Sequence, residues 1–292
     1  MASSLTIAYD HPNGTLFCGD SLNWLLTLPD EVADLIIADP PYNLKKADWD
    51  CFASQEVYIH WSIQWMTQAA RILKPTGSLY IMGFSEVLAD LKAPASRLFW
   101  GCRWLIWHYK NKANLGQDWG RSHESILLLR KSSSAKMNID NIRIPYGNHT
   151  LKYPDRTQAE TSQYSYDKST NLEQNWQPNP RGAKPKDVIE IPTLCNGMQE
   201  KTPHPTQKPE ELIRKFVLAS CDRDDLVIDP FSGSGTTLVV AEQLGRKWLG
   251  CEINPEYNQW AIQRLKTVQH LSDQEWFWRD KKAAERRRRI RI

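Results

Sequence analysis

The sequence lacks several features that would place it in a membrane, outside the cell or around a metal. It contains no run of 18 apolar residues, so no membrane-spanning helix and no membrane partner are expected. Its N-terminus has no basic stretch followed by an apolar one, which argues against a secretory signal. None of its six cysteines form a CxxC pair, so we expect no metal site, and buried thiols in a reducing cytoplasm.

The net charge of the chain is small, but basic residues are concentrated near its C-terminal end. The 292 residues are 41% hydrophobic and 24% charged, enough for a sizeable core, and the formal net charge is only +3. Between Arg279 and Ile292, however, eight Lys or Arg residues face two acidic residues. Two interpretations stay open: a segment that contacts nucleic acid phosphates, and a solvated, partly disordered tail.

Strand-like and helix-like segments alternate along most of the chain. The apolar run 34–38 ends in Asp-Pro-Pro, which is typical of a buried parallel strand followed by a stiff loop. Residues 74–77 predict a turn. Further strands are predicted at 15–20, 79–82, 104–107, 125–129, 226–228 and 248–252, and helices at 21–28, 56–73, 210–219, 238–244 and 255–269. The alternation predicts an α/β fold with a doubly wound, mostly parallel, Rossmann-like sheet.

Changes in amino-acid composition and periodicity divide the chain into four parts. Residues 131–200 are rich in Asn, Gln, Ser, Thr, Pro and Tyr and show little periodicity, which predicts a loop-rich insertion. The ordered segments 1–130 and 201–270 would then be two halves of one domain. Residues 271–292 form the basic C-terminal segment.

A glycine-rich turn suggests a nucleotide-type ligand. Ser232-Gly233-Ser234-Gly235 lies between a predicted strand and a predicted helix, and glycines there let the backbone approach a ligand. Glu252 ends the next strand, where its carboxylate can bind two ribose hydroxyls. A nicotinamide dehydrogenase would need a third glycine where Leu238 stands, and a P-loop would need a lysine after Gly235. The turn and Glu252 together predict an adenosine-containing cofactor, and a tight turn without a ligand is the plainer interpretation of the turn alone.

The residues Asp39-Pro40-Pro41-Tyr42 suit chemistry on an amino group. The lone pair of an exocyclic amino group on adenine or cytosine is delocalised into the ring, so this nitrogen is a poor nucleophile. The Asp39 carboxylate can accept one N–H and the Pro40 carbonyl the other, while Tyr42 can stack on the base. A base must leave the duplex to reach such a pocket. An ordinary surface turn is the plainer interpretation of the four residues alone.

Taken together, the motifs resemble those of the amino-group DNA methyltransferases of the β arrangement, over roughly residues 15–266. The order matches: DPPYN at 39–43, the polar insertion, HPTQKP at 204–209, DPFSGSGTT at 229–237 and GCEINPEY at 250–257. The resemblance implies a catalytic motif of Asp39, Pro40, Pro41 and Tyr42. It implies binding of S-adenosylmethionine by Asp20, Thr206, Lys208, Asp229, Phe231, Ser232, Gly233, Ser234, Gly235, Thr236 and Glu252.

Within that set the resemblance assigns specific roles. Asp20 would contact the cofactor adenine, Glu252 its ribose, and Thr206 and Lys208 its carboxylate. Trp107 and Tyr109, in the segment 104–130, would help to wall the base pocket, or else would simply pack in the core.

The resemblance also implies a partner and a reaction. Double-stranded DNA is the expected partner, with residues 131–200 as the target-recognition region. Aspartate in the first motif position favours adenine-N6 over cytosine-N4, and both stay open. A dehydrogenase and an inactive DNA-binding regulator are the remote alternatives. A partner restriction nuclease and a homodimer are also left open by the sequence.

Overall fold

The computed structural model describes residues 5–43, 50–112, 117, 119–154, 156–157 and 175–289. Parts of three predicted segments therefore lie outside the described residues: 155 and 158–174 of the insertion, 113–116 and 118 of the segment 104–130, and 290–292 of the basic end. By internal contacts the chain forms two compact units. The first comprises the residues up to Asn138 together with Lys186–Asp273, and the second comprises Ile139–Pro185 together with the residues from Gln274 onward.

Strands and helices alternate as the sequence predicts. The strands in chain order are β1 (Thr6–His11), β2 (Gly14–Cys18), β3 (Ala33–Ala38), β4 (Leu73–Gly83), β5 (Gly101–His108), β6 (His123–Arg130), β7 (Arg156–Thr157), β8 (Asn175–Trp176), β9 (Val188–Glu190), β10 (Leu226–Asp229) and β11 (Lys247–Glu252). The helices are α1 (Ser21–Thr27), α2 (Gln55–Ile72), α3 (Ser85–Leu98), α4 (Asn148–Lys152), α5 (Glu210–Ser220), α6 (Thr236–Gln243), α7 (Pro255–Leu265) and α8 (Asp273–Arg289).

The first unit is built on a nine-stranded sheet. Its strand order is β1-β2-β11-β10-β3-β4-β6-β5-β9. The central run from β2 to β4 is parallel, whereas β1 and the β4-β6-β5 segment pair antiparallel. The predicted doubly wound, mostly parallel architecture is therefore confirmed. Among the described residues, no helix is both long enough and apolar enough to cross a membrane.

Helices cover both faces of this sheet because its central strands are apolar on both sides. All six residues of β3 are buried. On one face, Ile36 and Ile81 belong to a hydrophobic cluster that includes Trp65 of α2. On the other face, Tyr80 stacks on Phe216 of α5 with ring centroids 4.4 Å apart. A strand buried on both faces needs no polar alternation, which explains the continuous apolar run at 35–38.

The structure corrects several local expectations. Residues 74–77, predicted as a turn, lie inside β4, although the pairing register jumps there from Ala33↔Leu73 to Leu35↔Ser78. Helix α7 ends at Leu265 instead of continuing to 269. Only Cys221 and Cys251 are buried among the six thiols. The basic segment is helical as far as Arg289, so the interpretation of a partly disordered tail is wrong for that part.

The glycine-rich turn requires glycine at its second glycine position. Gly235, the residue before α6, has φ +75°, and a Cβ there would lie 2.6 Å from the Cβ of Ala261. We predict that Gly235→Ala lowers the free energy of unfolding by about 2–4 kcal/mol, because backbone strain and overpacking add. Gly197 has φ +89° with no atom near its Cβ position. Gly197→Ala should therefore cost only about 1 kcal/mol in urea unfolding, and equal losses would contradict the packing contribution.

Candidate active site

Three loops meet at one edge of the sheet because their strands are parallel neighbours. The Asp39 loop follows β3, the glycine-rich turn follows β10, and Glu252 ends β11, in the spatial order β11-β10-β3. The carboxyl ends of such strands open on one crevice. A single cavity there is lined by most of the predicted site residues, namely Asp39, Pro40, Pro41, Tyr42, Thr206, Lys208, Asp229, Phe231, Ser232, Gly233, Ser234, Thr236 and Glu252.

The Tyr42 side chain holds the Asp39 carboxylate. Its hydroxyl donates to Asp39 Oδ1 at 2.5 Å, and its backbone N–H donates to Asp50 Oδ1 at 2.6 Å. Burial, followed by the negative charge of Asp39, raises the pKa of Tyr42 well above its usual value, so the hydroxyl keeps its proton and remains a donor. The sequence predicted only a stacking role for this ring. The structure adds a positioning contact inside the motif.

Lys208 approaches the same carboxylate from the other side. Its Nζ lies 2.6 Å from Asp39 Oδ2 and 3.5 Å from Glu124 Oε2, and its side chain is 7% exposed. Burial alone would lower the pKa of Lys208, but the adjacent carboxylates of Asp39 and Glu124 outweigh it and the pKa is raised. The lysine is therefore a buried cation paired with two carboxylates. Its predicted contact with a cofactor carboxylate stays a prediction.

Glu252 organises the glycine-rich turn from the end of β11. Its Oε2 accepts the Gly233 N–H at 2.7 Å, and its Oε1 accepts the Asn254 N–H at 2.8 Å. Burial raises the pKa of Glu252, and these backbone N–H groups counteract that effect. Each carboxylate oxygen can accept more than one hydrogen bond, so both oxygens can also accept hydrogen bonds from ribose hydroxyls.

Asp229 and Phe231 complete the floor of the cavity. Asp229 Oδ1 accepts the Phe231 N–H at 2.9 Å, and burial raises the pKa of Asp229 to about 7. The Phe231 ring packs against Trp61 and Trp65, with centroids 5.6 and 5.4 Å away. This combination of acceptor carboxylates, small loop residues and an aromatic ring fits an adenosine ligand that also carries a positive centre.

Two predicted residues do not line this cavity. Asp20 caps α1, where its side chain accepts the Asn23 N–H at 2.8 Å, and the cavity is lined instead by its neighbour Ser21. Gly235 adopts the positive φ that the turn needs but is not among the residues that line the cavity. Contact of either residue with the cofactor stays a prediction.

The two aromatic residues with open roles are buried and do not line the cavity. Trp107 and Tyr109 are 2% and 1% exposed, and neither lines the cavity. The Trp107 Nε1–H donates to the Ile191 carbonyl at 2.8 Å. Of the two interpretations, the structure supports core packing.

Several site residues were missed by the sequence reasoning. Asp50 and Ser21 line the cavity without belonging to any motif that was singled out. Buried His204 packs edge-on against Tyr257, with centroids 4.5 Å apart, and burial lowers its pKa to about 4, so it is neutral at pH 7. Its position in the HPTQKP motif could have identified His204 as a site residue. Glu124 belongs to no motif, and its partner Lys208 lies far away in the chain, so the sequence offers no signal for it.

Comparison with known proteins agrees with this geometry. The DNA methylase family model, for N6/N4 methyltransferases, matches residues 33–263. DNA adenine methyltransferase YhdJ of Escherichia coli (strain K12) is 32% identical over 265 residues, covering 89% of this chain and 85% of its own. The type II methyltransferase M.HpaI of Haemophilus parainfluenzae is 33% identical over 255 residues, covering 86% of this chain and 73% of its own.

Solved structures show the same fold. The PvuII DNA methyltransferase (cytosine-N4-specific) has a TM-score of 0.67 at 20% identity and covers 97% of both chains. The complex of M1.HpyAVI with S-adenosylmethionine has a TM-score of 0.55 at 20% identity, covering 86% of this chain and 98% of that one.

The fold and the cavity thus define an α/β methyltransferase that uses S-adenosylmethionine. Since the family model spans most of the chain and two relatives exceed 30% identity over most of its length, the chain belongs to the N6/N4 DNA methylase family. It transfers methyl groups to exocyclic amino groups of DNA bases. The dehydrogenase alternative is therefore wrong.

The contacts of Glu252 lead to a prediction about cofactor affinity. We expect Glu252→Ala to weaken binding of S-adenosylmethionine by about 10- to 100-fold, since hydrogen bonds to a charged group contribute roughly 1.5–3 kcal/mol. Titration calorimetry measures this directly. Glu256→Ala, which removes an exposed carboxylate in the first turn of α7, is the matched control and should bind normally. Unchanged affinity in Glu252→Ala would remove this residue from the cofactor site.

Proposed function

We propose that the enzyme methylates the N6 amino group of adenine in double-stranded DNA, at a base rotated out of the helix. The observation that carries the proposal is the Asp39 carboxylate, held by Tyr42 and Lys208 beside the glycine-rich turn. Aspartate in this motif position favours adenine within the family. The similarity to an adenine methyltransferase over 89% of the chain supports the same choice.

Asp39 and Pro40 activate the amino nitrogen in this proposal. S-adenosylmethionine, when bound, supplies an electrophilic methyl group on a positive sulfur. The Asp39 carboxylate accepts one N–H and the Pro40 carbonyl the other, which draws the nitrogen toward tetrahedral geometry and stabilises its developing positive charge. With S-adenosylmethionine bound, the N–C bond would form as the S–C bond breaks, and the nitrogen would then lose one proton to solvent. S-adenosylhomocysteine is the other product.

Binding of the cofactor falls to the residues around the turn and Glu252. Glu252 would hold the ribose, and Phe231 with Ser232 to Gly235 would surround the methionine part. Thr206 lines the same cavity. Lys208 would reach the cofactor carboxylate only by sharing its Nζ with Asp39, to which it is already paired.

The base reaches this site only outside the duplex. Asp39, Pro40 and Tyr42 lie in a concave cavity, and a stacked base cannot present its amino group there. The face of the extruded base would pack on an aromatic ring, and Tyr42 is the aromatic residue of the motif. Target recognition is proposed for the segment 131–200, whose Asn, Gln, Arg and Lys side chains can read base edges.

Nucleoside mass spectrometry of treated DNA tests the proposal. We expect N6-methyladenine after incubation with wild-type enzyme and S-adenosylmethionine, and none with Asp39→Ala. N4-methylcytosine instead would overturn the choice of base but not the family chemistry. Absence of any methylated nucleoside, in enzyme that binds S-adenosylmethionine, would support the inactive DNA-binding regulator.

A further inference from the structure

Helix α8 has two chemically different sides. Trp276 and Phe277 are each 3% exposed. By contrast, Arg279, Lys282 and Arg286 are exposed. Their spacing of three and four residues places them in one stripe along the helix. We call these three residues the basic stripe.

Contacts in the second unit orient the stripe. The Lys281 Nζ donates to the Arg181 carbonyl at 3.2 Å, and the Arg181 guanidinium lies 4.8 Å from the centroid of the Phe277 ring. These contacts join α8 to the segment Ile139–Pro185 of the same unit. They leave the basic stripe on the solvent side of the helix. A lone helix rich in arginine would have no such fixed face.

The basic stripe carries an excess of positive charge. Within the part of the chain that the structure describes, no ion pair joins Arg279, Lys282 or Arg286 to a carboxylate, and the Arg279 guanidinium lies 4.9 Å from the centroid of the Trp276 ring. In contrast, Lys136 in the first unit is paired with Asp222 and Asp225. The three cations of the stripe outnumber the one exposed carboxylate in the same row, that of Glu275, four residues before Arg279. Such an excess of exposed positive charge suits a partner that carries regularly spaced negative charge.

We infer that the basic stripe binds the phosphate backbone of the DNA duplex that this enzyme methylates. Seven residues of helix span roughly 10 Å, which is comparable to the width of a DNA groove. The contact would be independent of sequence, because phosphates carry no base information. It would increase the affinity for DNA and fix the position of the enzyme on the duplex, while other residues recognise the target base. This inference rests on DNA as the substrate and not on the choice of adenine.

Salt dependence of DNA binding provides the test. The triple variant Arg279→Gln, Lys282→Gln, Arg286→Gln is compared with wild type by titration of a fluorescent duplex at several salt concentrations. Each lost phosphate contact should reduce the slope of log K against log salt by about 0.9, so a reduction of about 3 is expected. The loss should be equal on methylatable and unrelated duplexes, with unchanged affinity for S-adenosylmethionine.

A matched control separates position from net charge. Arg223, Lys247 and Lys266 are exposed cations of the first unit, and Arg223 and Lys247 lie at the amino ends of β10 and β11, away from the cavity. Their triple glutamine variant removes the same charge and should leave the slope close to wild type. A second variant, Lys282→Gln with Arg286→Gln, leaves Arg279 on Trp276 and should reduce the slope by about 2.

Three results would overturn the inference. One is an unchanged slope in both stripe variants. Another is an equal loss in the control triple, which would assign the effect to net charge. The third is a loss of affinity confined to the methylatable duplex, which would show that the stripe contributes to recognition of the base sequence. A failure of the proposed adenine chemistry would appear separately, as a different methylated nucleoside with the salt effect intact.

Discussion

Asp39→Ala should reduce methyl transfer to DNA by about 100- to 1000-fold while S-adenosylmethionine still binds. In the proposed mechanism the carboxylate accepts an N–H of the base and faces the nitrogen where positive charge develops, and loss of one such preorganised group typically costs this factor in kcat. Incorporation of labelled methyl groups under saturating cofactor measures the effect.

Two further variants make this experiment specific. Asp39→Asn keeps the volume but removes the charge, so a loss as large as in Asp39→Ala would show that charge matters more than the acceptor atom. Asp10→Ala removes an exposed carboxylate on β1 and should be fully active. Full activity in Asp39→Ala would refute the proposed activation of the amino nitrogen.

Lys208→Met should produce the second large effect, and mainly in kcat. The Asp39 and Glu124 carboxylates would remain in the cavity without the cation that lies 2.6 and 3.5 Å from them. Breaking a buried pair costs about 3–5 kcal/mol, which protonation of one carboxylate relieves. We therefore expect about 100-fold lower kcat at pH 7 and an acidic limb of the pH profile shifted to higher pH.

The pH profile separates two roles of this lysine. If Lys208 acted only on the cofactor carboxylate, KM for S-adenosylmethionine would rise and the acidic limb would stay in place. Lys208→Arg, which keeps the charge, should preserve the limb. Adding Glu124→Gln to Lys208→Met removes the competing negative charge and should move the limb partly back. Thermal unfolding of each variant identifies any that do not fold.

The chemistry of the site was readable from the sequence because its parts are local. Asp39-Pro40-Pro41-Tyr42 follows an apolar run, and prolines stiffen a loop whatever surrounds them. The glycine-rich turn likewise needs positive φ at Gly233 and Gly235, which the structure shows at +50° and +75°. Such features depend on a few adjacent residues, so the class of cofactor and the type of reaction could be predicted.

Other features could not be read because they depend on pairing between distant strands. The antiparallel position of β6 beside β4 brings Glu124 near the end of β3. The roles of Trp107 and Tyr109 were left open for the same reason, since aromatic residues in a strand pack equally well in a core or along a pocket. Their burial was decided by neighbours such as Ile191, 84 residues from Trp107.

By itself the sequence determined the motif order, the cofactor loop and the amino-group chemistry of this enzyme. Only the tertiary structure decided how Asp39 is held. Lys208 reaches it across 169 residues of chain, and Tyr42 turns its hydroxyl back onto it. Local periodicity carries no information about strand order, and the electrostatics of a partly buried carboxylate depend on which charges that order brings within a few ångströms.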